Sequence, residues 1–211
     1  MVWARGAASV VSPDPTAMKA MLDLLAAAVD VTETCRRHGW RFCFIGGVAV
    51  QRWGNPRFTV DIDLTLITGY GQEEMYADLL LETLEPRRPD ARQFAVLHRV
   101  LLARTRLGVD VDIAFGALPF EERSIERSSD WLVDSDRCLP TCSAEDLIVH
   151  KVFAGRDRDW DDVRGVLVRR HGKLDWAVIE AELPPLLELK ETPEAMQRLK
   201  QIADVVNRQL E

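Results

Sequence analysis

The sequence predicts an α/β unit running to about residue 140, followed by a helical region, and three observations carry that prediction. Apolar and polar residues alternate over residues 58–66, the period of a strand with one buried face. A second alternating run covers residues 107–115. From Ser143 onward the apolar spacing changes to that of amphipathic helices, opened by Ser143-Ala-Glu-Asp146, which matches a capping box.

The elements follow in order. Residues 1–16 hold a weak apolar run broken by Pro13 and Pro15 and read as a flexible arm rather than a secretory signal. Residues 18–38 read as an amphipathic helix, with Met21, Leu24, Leu25 and Val29 at helical spacing and Gly39 as the stop. A short strand over 41–45 ends at Gly46-Gly47, and one or two helical turns over 48–53 are closed by Gly54-Asn55-Pro56. After the strand at 58–66 comes a helix over 73–85, stopped by Pro86, and then strands over 96–105 and 107–115. The helical region predicts segments over 143–155 and 159–170. A third begins near Asp175, and Pro184-Pro185 separate it from a last helix over 192–210. The predicted organisation is thus an arm at 1–16, a core at 17–140 and a helical region at 141–211.

Composition narrows the class of function. The chain has 211 residues, 47% apolar and 29% charged, the profile of a folded domain. Charges interrupt every apolar stretch well short of the roughly 18–20 residues of a membrane helix, so a cytoplasmic protein without a membrane partner is expected. Cys35, Cys43, Cys138 and Cys142 show no Cys-x-x-Cys spacing and read as free thiols. His98 and His150 are isolated and read as structural, and Trp53 and Trp160 as packing residues. A net charge of −7 argues against broad affinity for a nucleic-acid backbone, though arginines cluster at 87–106 and 164–170.

The chemistry lies on the strand at 58–66. Alternation places Phe58, Val60, Ile62, Leu64 and Leu66 on one face, and Arg57, Thr59, Asp61, Asp63 and Thr65 on the other. Two like charges side by side repel unless a cation or a proton lies between them. The strand at 107–115 likewise presents Asp110 and Asp112 from one side. Gly46-Gly47, between a strand and a short helix, permits close approach to a ligand and points backbone N–H groups at an anion. Carboxylates for cations, donors for phosphates and an acid to take a hydroxyl proton form the kit that metal-assisted phosphoryl transfer needs. Taken alone, Lys151 reads as a side chain snorkelling to the surface, and Asp159 and Asp162 as acids favoured near a helix start.

The ordered set resembles the nucleotidyltransferase superfamily that includes polymerase beta and the antibiotic nucleotidyltransferases, which carries Gly-Gly or Gly-Ser, then Asp-x-Asp, then a third acid on a neighbouring strand. Gly46-Gly47, Arg57-x-Thr59-x-Asp61-Ile62-Asp63-Leu64 and the Lys151-x-x-Ala154-x-Arg156-x-x-Asp159-x-x-Asp162 segment look like the AbiEii-type nucleotidyltransferase toxins. The match runs from about Phe42 to Leu167. The resemblance implies a nucleotidyltransferase fold, a small mixed sheet flanked by helices. It implies a Mg²⁺-dependent enzyme with two metal ions, moving a nucleoside monophosphate from an NTP to an acceptor hydroxyl. RNA, a tRNA end in particular, would be the acceptor, and a cognate antitoxin the partner. Asp61, Asp63 and Asp112 would hold the metal, Asp112 also serving as base. Asp112 is preferred to Asp110, which shares its face. Gly46, Gly47, Arg57, Thr59, Arg156, Asp159 and Asp162 would form the nucleotide site, with Lys151 reaching the phosphates. Gly47 stands where many members carry Ser, and Val48 where toxins of this type often carry Thr. A small-molecule acceptor of the aminoglycoside or lincosamide type is the alternative, and a non-catalytic nucleotide- or partner-binding module a further one.

Overall fold

The computed structural model describes residues 15–211, so the expected arm lies outside the described residues except for Pro15 and Thr16, which open the first helix. In chain order the elements are α1 (Pro15–Arg37), β1 (Phe42–Phe44), α2 (Gly46–Trp53), β2 (Asp61–Ile67), α3 (Glu73–Leu81), β3 (Glu85–Pro86), α4 (Ala91–His98) and β4 (Val100–Arg104). They continue with β5 (Asp110–Gly116), α5 (Pro119–Glu126), β6 (Ser129–Leu132), β7 (Cys138–Thr141), α6 (Ala144–Ala154), α7 (Asp157–Arg169), α8 (Trp176–Leu189) and α9 (Glu194–Leu210).

The strands form one mixed sheet in the order β3-β4-β5-β2-β1-β7-β6. β2 pairs parallel with β5 and β1 parallel with β7, while the other neighbours are antiparallel. The α/β expectation is met, with more sheet than the sequence pattern displays. On one side, Ile62, Leu64 and Leu66 of β2 pack with Phe42, Phe44, Leu101 and Ile113 and with Leu24, Ala27 and Ala28 of α1. A second core forms around α6, where Leu147, Ile148 and Val152 meet Val163, Val166, Ile179, Leu183 and Leu199. The acids of β2 therefore sit at the junction of two cores, on the face the first core leaves free.

Several expected elements are corrected. β2 begins at Asp61 rather than at residue 58, because its partner β5 begins at Asp110, the residue opposite Asp61. Phe58 and Val60 consequently lie outside the sheet, 52% and 62% exposed. The run expected as a strand over 96–105 is divided. Its first part belongs to α4, where the His98 ring lies tilted against Phe94, and Arg99 turns the chain with a φ of 55° before β4. The helix expected to reach residue 85 stops at Leu81, and Glu85-Pro86 instead form an edge strand, a place where proline removes no needed donor. Pro184 and Pro185 do not separate two helices: both lie inside α8. Ile179, Leu183, Leu186 and Leu187 are buried on either side of them, and that burial outweighs the roughly 3 kcal/mol a helical proline costs. α5, β6 and β7 carry no strong period and were not expected.

The four cysteines are free thiols, as expected. Burial pushes the Cys35 and Cys43 thiols up to about 12, which keeps them protonated and unreactive. Among the described residues no helix is long and apolar enough to cross a membrane. Trp160 is a core residue, and Trp53 donates to the Cys142 carbonyl at 2.8 Å beneath the Arg52 guanidinium.

His150 is half-buried on α6 against Phe120, its Nε2 buried without a partner, and desolvation lowers its pKa to about 4. The unfolded chain takes up this proton near the ordinary value of 6.5 while the native state resists it. Stability therefore falls as pH drops from about 6.5 towards 4, by about 2 kcal/mol at pH 5. Urea unfolding of wild type and His150→Leu at pH 8 and pH 5 should show the wild type losing that much more than the variant. Equal losses in the two proteins would remove His150 from the account.

Candidate active site

Register alone assembles the acids. In the parallel pair β2–β5, Asp61 stands opposite Asp110 and Asp63 opposite Asp112, so four carboxylates share one patch of sheet. Burial and then the charges of Asp61 and Asp112 raise the pKa of Asp63, against a hydrogen bond from the Gly47 N–H. Burial also raises Asp112, with Arg87 opposing and Asp61 and Asp110 adding to the rise. Asp110 is lowered instead, chiefly by a hydrogen bond from Arg104 at 2.6 Å, with Arg87 at 3.0 Å assisting.

The Gly-Gly pair forms the first turn of α2 and packs directly on these acids. Gly46 has a φ of +53°, and a Cβ there would lie 1.9 Å from Asp63 Oδ2. A Cβ on Gly47 would lie 2.3 Å from Thr59 Oγ1. Thr59 is buried, and its hydroxyl donates to Asp61 Oδ1 at 2.8 Å. Glycine at 47 therefore has a steric cause: Thr59 occupies the space a serine side chain would take. Gly47→Ser should cost about 1–3 kcal/mol through overpacking. In a Thr59→Ala background part of that cost should vanish, the Thr59 Cβ remaining 2.9 Å away, and a double-mutant cycle by thermal unfolding reads the coupling. Additive effects would contradict the shared-space explanation.

The second wall comes from α6 and α7. Lys151 does not snorkel. It is 6% exposed, with its Nζ 3.0 Å from Asp159 Oδ1 and 2.9 Å from Asp162 Oδ2. Arg57 forks Asp162 at 2.6 and 2.8 Å, and Arg156 Nε donates to Asp159 Oδ2 at 2.7 Å. Burial alone would raise Asp159 and Asp162, but the hydrogen bonds from Arg156, Arg57 and Lys151 bring both below the ordinary carboxylate value. Three cations on two carboxylates leave one positive charge in surplus. It is felt at the acid patch: Lys151 lowers Asp63, while Asp61 and Asp63 raise Arg156. The turn between these helices is local chemistry, since Gly155 ends α6 in the left-handed region and Arg156 starts α7.

The site residues expected from sequence thus form two clusters in electrostatic reach of one another. Gly46, Gly47, Thr59, Asp61, Asp63 and Asp112 make one, and Arg57, Lys151, Arg156, Asp159 and Asp162 the other. Arg87 and Arg104 of the arginine cluster at 87–106 had no assigned partner from the sequence, whereas both are bound to the acids of β5. Their sole signal was position, since Arg104 ends a strand next to an acidic one.

Comparison with known proteins now bears on this geometry. The family model described as "Nucleotidyl transferase AbiEii toxin, Type IV TA system" matches residues 34–183. The chain belongs to the AbiEii nucleotidyltransferase toxin family. As a family member it is a nucleotidyltransferase, which sets aside the non-catalytic module. The AbiEii match takes in both clusters and stops within α8. No curated protein matches the sequence. Among solved structures, the chain is similar to an antigenic nucleotidyltransferase-like protein from Paracoccidioides brasiliensis at 13% identity and a TM-score of 0.46, covering 88% of this chain and 93% of that one. It is similar to JHP933 from Helicobacter pylori at 11% identity and a TM-score of 0.46, covering 94% and 95%. Similarity to the antibiotic-resistance factor ANT(2'')-Ia has 13% identity and a TM-score of 0.40, covering 93% and 94%.

Proposed function

We propose that this nucleotidyltransferase moves a nucleoside monophosphate from an NTP to a hydroxyl of RNA, a tRNA end in particular, with two Mg²⁺ ions held by Asp61, Asp63 and Asp112. The observation that carries this reading is the in-register pairing of Asp61-x-Asp63 with Asp110-x-Asp112. Carboxylate oxygens are the ligands a hard cation takes; burial and neighbouring acids disfavour the charge of Asp63, and burial disfavours that of Asp112 in spite of Arg87, so a bound cation is favoured there. Mg²⁺ at these carboxylates supplies charge neutralisation and Lewis acidity at the α-phosphate.

The chain's own residues do the rest. Arg156, its side chain 76% exposed, faces the incoming polyphosphate, with Lys151 and Arg57 as fixed positive charge behind it. Thr59 and the Gly47 N–H hold the orientation of Asp61 and Asp63. Asp112 takes the proton of the attacking hydroxyl as its oxygen bonds to the α-phosphorus. The bond to the bridging oxygen breaks, and pyrophosphate leaves with the electron pair.

RNA as acceptor is supported by four exposed arginines on and just before α7, Arg156, Arg158, Arg164 and Arg169, interspersed with exposed Asp157 and Asp161, on a chain of net charge −7. The net acidity favours a second reading, a cationic small molecule such as an aminoglycoside. Purified protein incubated with labelled NTPs, Mg²⁺ and either total RNA or the antibiotic separates them. Label in RNA supports the first reading and label in the antibiotic the second. Equal labelling by wild type and an Asp61→Ala, Asp63→Ala double variant would sink both. A cognate antitoxin, expected from the family, would be sought by co-purification.

A further inference from the structure

The sheet continues past the acid patch as two cross-strand rows. Glu85, Arg104, Asp110 and Asp61 form one row, each residue opposite the next. In the other, Leu102 stands opposite Asp112 and Asp112 opposite Asp63, and the Arg87 N–H binds the Leu102 carbonyl at 3.1 Å. Arg87 therefore enters at the edge of the sheet in line with the proposed third metal ligand. Its guanidinium forks two different acids: Nη1 donates to Asp110 Oδ2 at 3.0 Å and Nη2 to Asp112 Oδ1. Asp110 is separately bound by Arg104 at 2.6 Å, so it has a cation without Arg87, whereas Arg87 provides the ion pair of Asp112.

One further observation bears on this arrangement. Arg87 Nε is buried without a partner, so the guanidinium is not fully satisfied where it lies.

Resting on the reading above, we propose that Arg87 is a displaceable counter-ion: it holds Asp112 in the metal-free enzyme and releases it to a divalent cation, staying paired with Asp110. Cation binding then competes with an existing ion pair. Asp110 and Asp112 stay paired while the site is empty, and the site closes only as the cation arrives. Arg87 is thus a positioning residue for Asp112, not a group that touches the reacting atoms.

The test is Mn²⁺ binding to the full chain without nucleotide, read by electron paramagnetic resonance, with thermal unfolding in parallel. Arg87→Met keeps length and removes charge. It should bind Mn²⁺ at least about fivefold more tightly than wild type, unfold at a lower temperature without metal, and gain more from added Mn²⁺. Arg104→Met, which loses a cation from Asp110 alone, should not tighten binding as much. Should Arg87→Met fail to fold, Arg87→Lys, which keeps the charge but cannot fork two carboxylates, should still tighten binding by about twofold. Unchanged or weaker Mn²⁺ affinity in a folded Arg87 variant overturns the proposal, provided Asp63→Asn abolishes binding. If Asp63→Asn binds Mn²⁺ as well as wild type does, the metal site itself lies elsewhere and the functional reading falls with it.

Discussion

Asp63→Asn should lower nucleotidyl transfer by at least about a thousandfold while the protein becomes slightly more stable. The two effects have one cause. Asp63 lies among Asp61 and Asp112 under the N-terminus of α2, and burial and these charges raise its pKa. An acid whose native pKa is raised contributes stability below its ordinary value and loses it as pH rises, so at pH 7 its ionised form opposes folding. Asparagine keeps the shape and can still accept from the Gly47 N–H, but it supplies no negative oxygen to a cation. Asp110→Asn should be much milder, because Arg104 and Arg87 already neutralise that carboxylate. Transfer rates of the three variants Asp63→Asn, Asp112→Asn and Asp110→Asn, with their melting temperatures, check this. A thousandfold loss in Asp110→Asn beside a mild Asp112→Asn would exchange the roles of the two acids.

Lys151→Met should destabilise the chain by about 3–5 kcal/mol, the cost of removing one partner from a buried ion pair. Asp159 and Asp162 are 1% and 5% exposed and would keep only Arg156 and Arg57, both on the solvent side of the cluster. The loss couples α6 to α7, so it should appear as cooperative unfolding at lower urea rather than as local fraying. Adding Asp159→Asn to Lys151→Met should not restore the stability, because each carboxylate still holds its own arginine and the amide leaves Arg156 without a charged partner. Activity would not return, since the positive charge behind Asp63 remains absent. A Lys151→Met protein as stable as wild type would mean that the ammonium is not held between the two carboxylates.

How far the site was legible in the sequence depends on the range of the interactions. Asp61-x-Asp63, Gly46-Gly47 and the Ser143 cap are local: alternation, turn chemistry and a hydroxyl accepting the Asp146 N–H at 3.0 Å follow from neighbours in the chain. The pairing of β2 with β5 was suggested by two acidic strands, but its register comes only from folding. Val96 and Leu97 read as strand because they are apolar and precede one; both are exposed on α4, 41% and 76%. β6 and β7 lie at the edge and alternate weakly, which hides them. The tie from Arg87 to Asp112 spans 25 residues and depends on where β3 joins the sheet. No local pattern announces it.

One measurement addresses the central claim most directly. The protein is supplied with NTP labelled either at the α-phosphate or at the γ-phosphate, with Mg²⁺ and the acceptor, and the acceptor fraction is counted. Transfer of a nucleoside monophosphate at Asp61, Asp63 and Asp112 predicts that α-label enters the acceptor and γ-label leaves in pyrophosphate, and that the Asp61→Ala, Asp63→Ala double variant does neither. Entry of γ-label into the acceptor, or α-label transfer that survives in the double variant, would contradict it.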